Sequence, residues 1–187
     1  MNEKSCPWNW REKVLDFLKS DSRVLDLSPG DGTFLLSLRH PGELCCTLPQ
    51  PEDPLPFEDN SFDIVLNNGG RYSLPEVHRV CKPGGFFLVQ QFGSEHMFSL
   101  RRLLSLSVPE RRDYNLENEL PRFQNAGFRI MYRNQAYPTL RFSDVEEALA
   151  YFPGKEEALR PGLEKYFASH DFLETEEHRF LIIGKKR

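Results

Sequence analysis

Val24 to Gly32 reads VLDLSPGDG, and this stretch decides the fold. An apolar run ends in an acid, Asp26, and a glycine-rich turn follows at once. A second apolar run, Thr33 to Leu38 (TFLLSL), then reads as a helix. A strand that breaks sharply into a helix lets the backbone approach a small ligand closely, because glycine offers no side chain at the turn.

The segments around this corner alternate. Upstream, Trp8 to Ser20 predicts an amphipathic helix with Trp10, Val14, Phe17 and Leu18 on one stripe. Asn9, with Glu12 three residues on, forms a capping box at its start. Arg23 to Ser28 reads as a buried strand, Thr33 to Arg39 as a helix and Glu43 to Leu48 as a second strand. The next stretch, PQPEDPLPFEDNS, is too rich in proline for a helix or a central strand. Phe62 to Asn67 predicts a strand, Leu74 to Lys82 a helix closed by KPGG, and Phe86 to Phe92 another strand. Phe98 to Leu106 and Asn115 to Asn125 read as helices, and Phe128 to Tyr137 as a strand. Ser143 to Phe152 reads as a helix capped by Ser143. Glu156 to Ser169 reads as a helix that Pro161-Gly162 can split. His178 to Lys185 reads as the last strand. Alternating strands and helices argue for an α/β fold with a mostly parallel sheet covered on both faces.

The 187 residues suit a single domain, 1–187, with one core. A net charge of −4 gives no general pull toward nucleic acid or an anionic membrane. Arg101-Arg102, Arg111-Arg112 and Lys185-Lys186-Arg187 are read as solvated surface. No run approaches the ~20 apolar residues of a membrane span, and the first residues hold no apolar signal core. The four cysteines show no metal spacing and are expected as buried free thiols, so the chain is read as cytoplasmic and without a metal site.

Three strands end in polar or glycine residues: Asp26-Leu27-Ser28, Asn67-Asn68-Gly69-Gly70 and Gln90-Gln91-Phe92-Gly93. In an open parallel sheet, ligands bind beyond such carboxyl ends. The corner pattern D-x-S-x-G-D-G departs from the dinucleotide fingerprint, with Ser28 and Phe34 where glycines belong, so a nicotinamide or flavin is disfavoured. No hydrolase elbow or zinc-protease motif is present, so catalytic residues stay unassigned. Acceptor-side candidates are Tyr72, Gln90, Gln91, Glu95 and His96, the last either a general base or a surface histidine. Trp8 and Trp10 are read as core aromatics before lid residues, and His78 as a partly exposed helix residue.

Val24–Leu38, Leu55–Val65 (LPFEDNSFDIV) and Glu76–Val89 (EVHRVCKPGGFFLV) together resemble, in order and register, class I S-adenosylmethionine-dependent methyltransferases of the type 11 group. Pro7–Leu18, Ala136–Phe152 and Glu174–Arg187 are similar to one bacterial branch of that group. The resemblance implies a Rossmann-like three-layer sandwich with a late antiparallel strand at His178 to Lys185. It implies S-adenosylmethionine as cofactor and methyl transfer to a small-molecule or unassigned acceptor. Ser28, Pro29, Gly30, Asp31 and Gly32 would cradle the methionine part, with Asp26 orienting the loop and Asn67 closing over the same end.

The chain departs from the family between Pro49 and Ser61. About a dozen residues are too few for a helical crossover plus a strand, so the third strand and its preceding helix are expected to be deleted. The return spans ~17–20 Å, and skipping one strand adds ~10 Å. A dozen extended residues reach ~40 Å, so the chain still closes. The deletion falls on the adenosine side, where Glu52, Asp53 and Leu55 are the nearest candidates. The alternative reading is a degenerate methyltransferase fold serving as a non-catalytic binding or regulatory module, with a homodimer covering the shortened sheet edge.

Overall fold

The computed structural model describes residues 6–40, 42–47, 54–106, 112–152 and 154–187. The chain runs α1 (Trp10–Leu15), β1 (Val24–Asp26), α2 (Thr33–Ser37), β2 (Leu44–Cys46), β3 (Phe62–Asn68), α3 (Leu74–Val80) and β4 (Cys81–Phe92). It continues α4 (Phe98–Leu103), α5 (Leu116–Asn125), β5 (Phe128–Ala136), β6 (Thr139–Phe142), α6 (Val145–Ala150), α7 (Glu156–Phe167), β7 (Leu173–Glu176) and β8 (Arg179–Lys186).

Six strands form one sheet in the order β2-β1-β3-β4-β8-β5. The first four run parallel, while β8 lies antiparallel between β4 and β5. The expected mostly parallel sheet with a late antiparallel strand is present. Among the described residues no strand pairs with the outer edge of β2, and the chain passes from β2 to β3 without a helix or strand. Residues 48–53 of that passage lie outside the described residues.

Alternation along the strands gives each face its own core. Leu25, Val65, Phe87, Val89 and Ile182 point to one face, where Val77 and Val80 of α3 and Phe123 of α5 cover them. Val24, Ile64, Leu66, Leu88 and Leu181 point to the other, under Trp10 and Val14 of α1 and Leu35 and Leu38 at α2. A third cluster, Met97, Leu100, Leu140, Phe142, Leu149, Leu159 and Leu163, joins α4, α6 and α7 to the two-stranded β6-β7 sheet. The sequence reading expected one core and missed this small sheet.

Other local corrections have physical causes. α1 stops at Leu15, and Phe17 continues the apolar stripe from irregular backbone, 4.8 Å from the ring of Phe86. Asn9 does cap that helix, accepting from the Glu12 amide at 3.1 Å. Asp144, not Ser143, caps α6, because its carboxylate reaches the Glu147 amide at 2.8 Å. α7 carries Pro161 without splitting. Of the cysteines, only Cys81 is buried, Cys46 is exposed, and all four are free. Lys186 is not a solvated tail residue. Its ammonium donates to the carbonyls of His78 (2.7 Å) and Cys81 (2.9 Å) and to Asn60 (2.9 Å), placing a cation where α3 ends in unpaired carbonyls.

Candidate functional site

The corner after β1 is built from its own backbone. Asp26 is buried, and its carboxylate accepts the Ser28 amide at 2.9 Å. Burial raises the Asp26 pKa above its ordinary value, and the bonds from Ser28 offset part of that rise. The Gly32 amide donates to the Pro29 carbonyl at 2.8 Å and closes the turn. Gly30 and Gly32 have φ of +56° and +80°, where a side chain would be strained. Among the described residues, a Cβ built on either meets nothing within 4 Å, so this face of the loop is open to them. Asp31 accepts the Thr33 amide at 2.9 Å, which fixes the first turn of α2 and lowers the Asp31 pKa.

The facing wall comes from β3 and β4. Leu27 donates to Leu66 at 2.9 Å, so the ends of β1 and β3 lie side by side. A polar chain then crosses the carboxyl edge of the sheet. The Trp8 indole donates to Gln90 (2.6 Å), the Gln90 amide donates to Asn68 (2.9 Å), and the Asn68 backbone amide donates to the Ser28 hydroxyl (2.5 Å). A second chain runs from Gln91 to the Asn67 side chain (2.7 Å) and to the Gly70 carbonyl (2.8 Å). Asn67 is fully buried, and its own amide points to the Arg71 carbonyl at 3.4 Å. Ser28 also sets how close the two loops lie, because a Cβ on Gly70 would sit 2.8 Å from that of Ser28.

The structure therefore brings together Asp26, Ser28, Pro29, Gly30, Asp31, Gly32 and Asn67 at one edge. Leu55 lies in the core below, its amide donating to Glu76 at 2.8 Å. Arg79 organises this loop by donating to the carbonyls of Leu55 (3.0 Å) and Phe57 (2.8 Å) while paired to Glu76 and Asp59. Glu52 and Asp53 lie outside the described residues.

Among the acceptor-side candidates, Tyr72 packs edge-on against Phe87 inside the core, and Gln90 and Gln91 belong to the polar chains. Glu95 accepts the Tyr137 hydroxyl at 2.9 Å. His96 is not the surface histidine that the sequence reading preferred. It lies 4.2 Å from the Phe92 ring, its Nδ1 is buried, and burial pulls its pKa down to about 4. It is a neutral imidazole at pH 7. Trp8 and Trp10 are both core residues. His78 is half-buried with its ring edge-on to Phe128, and burial lowers its pKa.

Beside His96 opens a cavity of about 550 Å³, walled by Phe92, Met97, Leu100, Tyr151 and Phe152. The sequence reading did not assign this wall. Beneath it, Arg179 pairs with Glu177 at 2.6 Å, both almost fully buried, and the Tyr151 hydroxyl donates to Glu177. Glu177 lies in the connection between β7 and β8, and Arg179 opens β8, so the pair joins a turn to the strand after it, and ETEEHRF carries no periodic signal for it. Among the described residues no group of His, Cys, Asp and Glu has the makings of a metal site, and no helix is long and apolar enough to cross a membrane.

No family model matches the chain. Two solved structures align along nearly all of it. A Bacillus halodurans protein assigned as a methyltransferase has a TM-score of 0.65 and 16% identity over 95% of this chain and 98% of its own. The YcgJ protein of Bacillus subtilis has a TM-score of 0.67 and 17% identity over 94% and 97%. At that identity they show the fold, the one also found in S-adenosylmethionine-dependent methyltransferases such as geranyl diphosphate methyltransferase. By sequence, the mitochondrial arginine-hydroxylase NDUFAF5 of Danio rerio is 28% identical over 116 residues, 58% of this chain and 36% of that protein. Demethylmenaquinone methyltransferase of Corynebacterium glutamicum is 34% identical over 113 residues, 46% of this chain and 49% of that protein. The chain matches less than half the length of either relative.

Proposed function

We propose that the chain is an S-adenosylmethionine-dependent methyltransferase acting on a small-molecule acceptor, with residues 1–187 working as one methyltransferase-like domain in the cytoplasm. The observation that carries this reading is the open glycine-lined backbone at the carboxyl end of β1, seated over the buried carboxylate of Asp26. That open backbone would accommodate the methionine end of the cofactor. Free space stands over Gly30 and Gly32, and the edge of Asn67 and Asn68 faces it from β3. Asp26, Ser28, Pro29, Gly30, Asp31, Gly32 and Asn67 would hold that end, while Leu55, Glu52 and Asp53 would border the adenosine. The free cysteines fit a reducing compartment.

When bound, S-adenosylmethionine supplies an electrophilic methyl group on a sulfonium. The task left to the chain is alignment and exclusion of water. The Trp8-Gln90-Asn68-Ser28 chain fixes the corner against β4, so the loop keeps one geometry. Phe92, Tyr151 and Phe152 give the neighbouring cavity apolar walls. His96, held neutral beside them, adds an uncharged imidazole to that wall. Calorimetric titration with S-adenosylmethionine and S-adenosylhomocysteine tests the reading. Binding that Asp26→Ala weakens at least tenfold is expected, and absence of heat at millimolar ligand overturns it.

One observation favours a second reading. β2 has only three residues, its Cys46 is exposed, and no described strand lies beyond it. A degenerate fold used as a binding or regulatory module would leave that edge for a second copy to cover. Light scattering that finds a homodimer, joined to undetectable transfer of labelled methyl groups, would favour this module over the enzyme.

A further inference from the structure

Two cavities lie side by side past the end of β4. The inner one is the chamber of about 550 Å³ beside His96. The outer one, about 540 Å³, is lined by Ser94, Phe98, Arg101, Arg102, Arg112 and Asn115. Arg101 and Leu106 line both, so little more than these two side chains divides them.

Their chemistry differs. The walls of the inner chamber are Phe92, Met97, Leu100, Tyr151 and Phe152, and its histidine is uncharged at pH 7. Among the described residues, Arg101, Arg102 and Arg112 line the outer cavity with one acid, Glu95, and that carboxylate already accepts the Tyr137 hydroxyl and lies 3.8 Å from His178. Lys155 adds a further cation at the inner chamber. The Arg101 Nε donates to the His96 carbonyl at 3.0 Å, which holds its guanidinium at the divide. Planar guanidinium groups are matched to carboxylate and phosphate oxygens.

We propose that the two cavities form one binding site for a small amphipathic anion, its apolar body against Phe92, Tyr151 and Phe152 and its anionic oxygens at Arg101, Arg102 and Arg112. The inference rests on the methyltransferase reading for its orientation and names the class of acceptor. A Cβ on Gly69 would lie 3.8 Å from the Phe92 ring, so the inner chamber adjoins the loop that borders the glycine corner. The apolar end of the ligand therefore faces the methyl donor, and the anionic head faces away. The aromatic walls suit a carbon-rich end bearing a hydroxyl or a nucleophilic carbon.

Calorimetry on the intact chain with octanoate, octyl phosphate and 1-octanol tests the site. Both anions are expected to bind at least tenfold more tightly than octanol, and their ratio separates a carboxylate from a phosphate head. Arg102→Ala/Arg112→Ala should remove most of that advantage and leave octanol unchanged. Ala150→Trp, at the exposed end of α6 on the inner cavity, should weaken all three. Equal binding of octanol and the anions, or anion binding indifferent to the double variant, overturns the proposal. S-adenosylhomocysteine is titrated in parallel. Its failure to bind while the anions bind as expected overturns the donor reading and leaves the amphiphile site. Its binding without any preference for anions overturns the amphiphile site alone.

Discussion

Gly70→Ala tests whether Ser28 is what holds the loops after β1 and β3 in register. The new Cβ would lie 2.8 Å from the Ser28 Cβ, 3.1 Å from the Asn67 amide nitrogen and 3.4 Å from the Leu27 carbonyl oxygen. The first contact is well inside ordinary van der Waals distance, and overpacking of this kind costs about 1–3 kcal/mol. For a chain of this length, each kcal/mol lowers Tm by ~2–4 °C, so a fall of about 4–8 °C follows from a cost near 2 kcal/mol. Ser28→Gly alone loses the hydroxyl that accepts the Asn68 amide, worth ~0.5–1.5 kcal/mol. In the Ser28→Gly background the 2.8 Å contact vanishes, and Gly70→Ala should cost under ~1 kcal/mol. The double-mutant cycle should thus show a favourable coupling of about 1 kcal/mol or more. Urea denaturation of the four proteins, followed by circular dichroism, measures it. Additivity within ~0.3 kcal/mol would refute the argument that these two side-chain positions compete for one space.

At Asp26, burial raises the pKa, so the folded protein holds this proton more readily than the unfolded chain does. Its contribution is largest below the unfolded value of 3.8 and declines as pH rises through the folded value. Asp26→Asn should therefore lose no stability at pH 7 in thermal melts, while S-adenosylmethionine affinity falls at least tenfold in calorimetry; a large fall in Tm would count against burial as the dominant cause. His96 runs the other way, with a pKa lowered from 6.5 to about 4. Its contribution is whole above pH 6.5 and disappears toward pH 4, a loss of ~3 kcal/mol or slightly more, so His96→Gln should show a smaller stability difference than the parent between pH 7.5 and 4.5 in urea titrations. Gly93→Ala drives a Cβ to 2.2 Å from the buried His178 ring and should destabilise by ~3 kcal/mol or more, or prevent soluble expression. Arg79→Ala unties the loop at Leu55 and Phe57; limited proteolysis should then cut within residues 54–61, where the parent resists.

The fold was legible where the chain states it locally. The break from Val24-Leu25-Asp26 into glycines marked β1 and its turn, and the short proline-rich passage before Phe62, set against the family the motifs resemble, pointed to the loss of one strand unit. The KPGG turn, read as the stop of a helix reaching Lys82, lies inside β4: α3 ends at Val80, and Gly84 takes a φ of +79° that would strain a residue with a side chain. β6 and β7 were not legible, because each has only four residues and two helices separate them. Neither carries a period long enough to stand out, and Pro138 immediately before β6 reads as a breaker. At the site, the glycine corner and Asn67 followed from motif order. The walls beside His96 did not, because they are assembled from the end of β4 and α4 on one side and the end of α6 on the other, some fifty residues apart in sequence. The task of Lys186 was hidden for the same reason: its partners lie more than a hundred residues away.

The missing strand unit and the polar chain from Trp8 are connected. A strand beyond β2 would pack against it and brace the glycine corner from the adenosine side. Here β2 is a half-exposed edge of three residues that, among the described strands, pairs with β1 alone. Such an edge places little constraint on the loop that follows β1. Bracing comes from the opposite side instead. The Trp8 indole, the Gln90 amide, the Asn68 backbone and the Ser28 hydroxyl link the segment before α1 to β4, β3 and the corner in one line of hydrogen bonds. Gln90 is polar at a buried strand end, and each residue in the line is bonded to the next. A serine in the place of the first glycine is then consistent with the deletion. A glycine there would leave the Asn68 amide without this acceptor and the corner without its tie to β4. Buried polar chains that are fully paired fix one geometry, and the same chain broken at any link would release the loop.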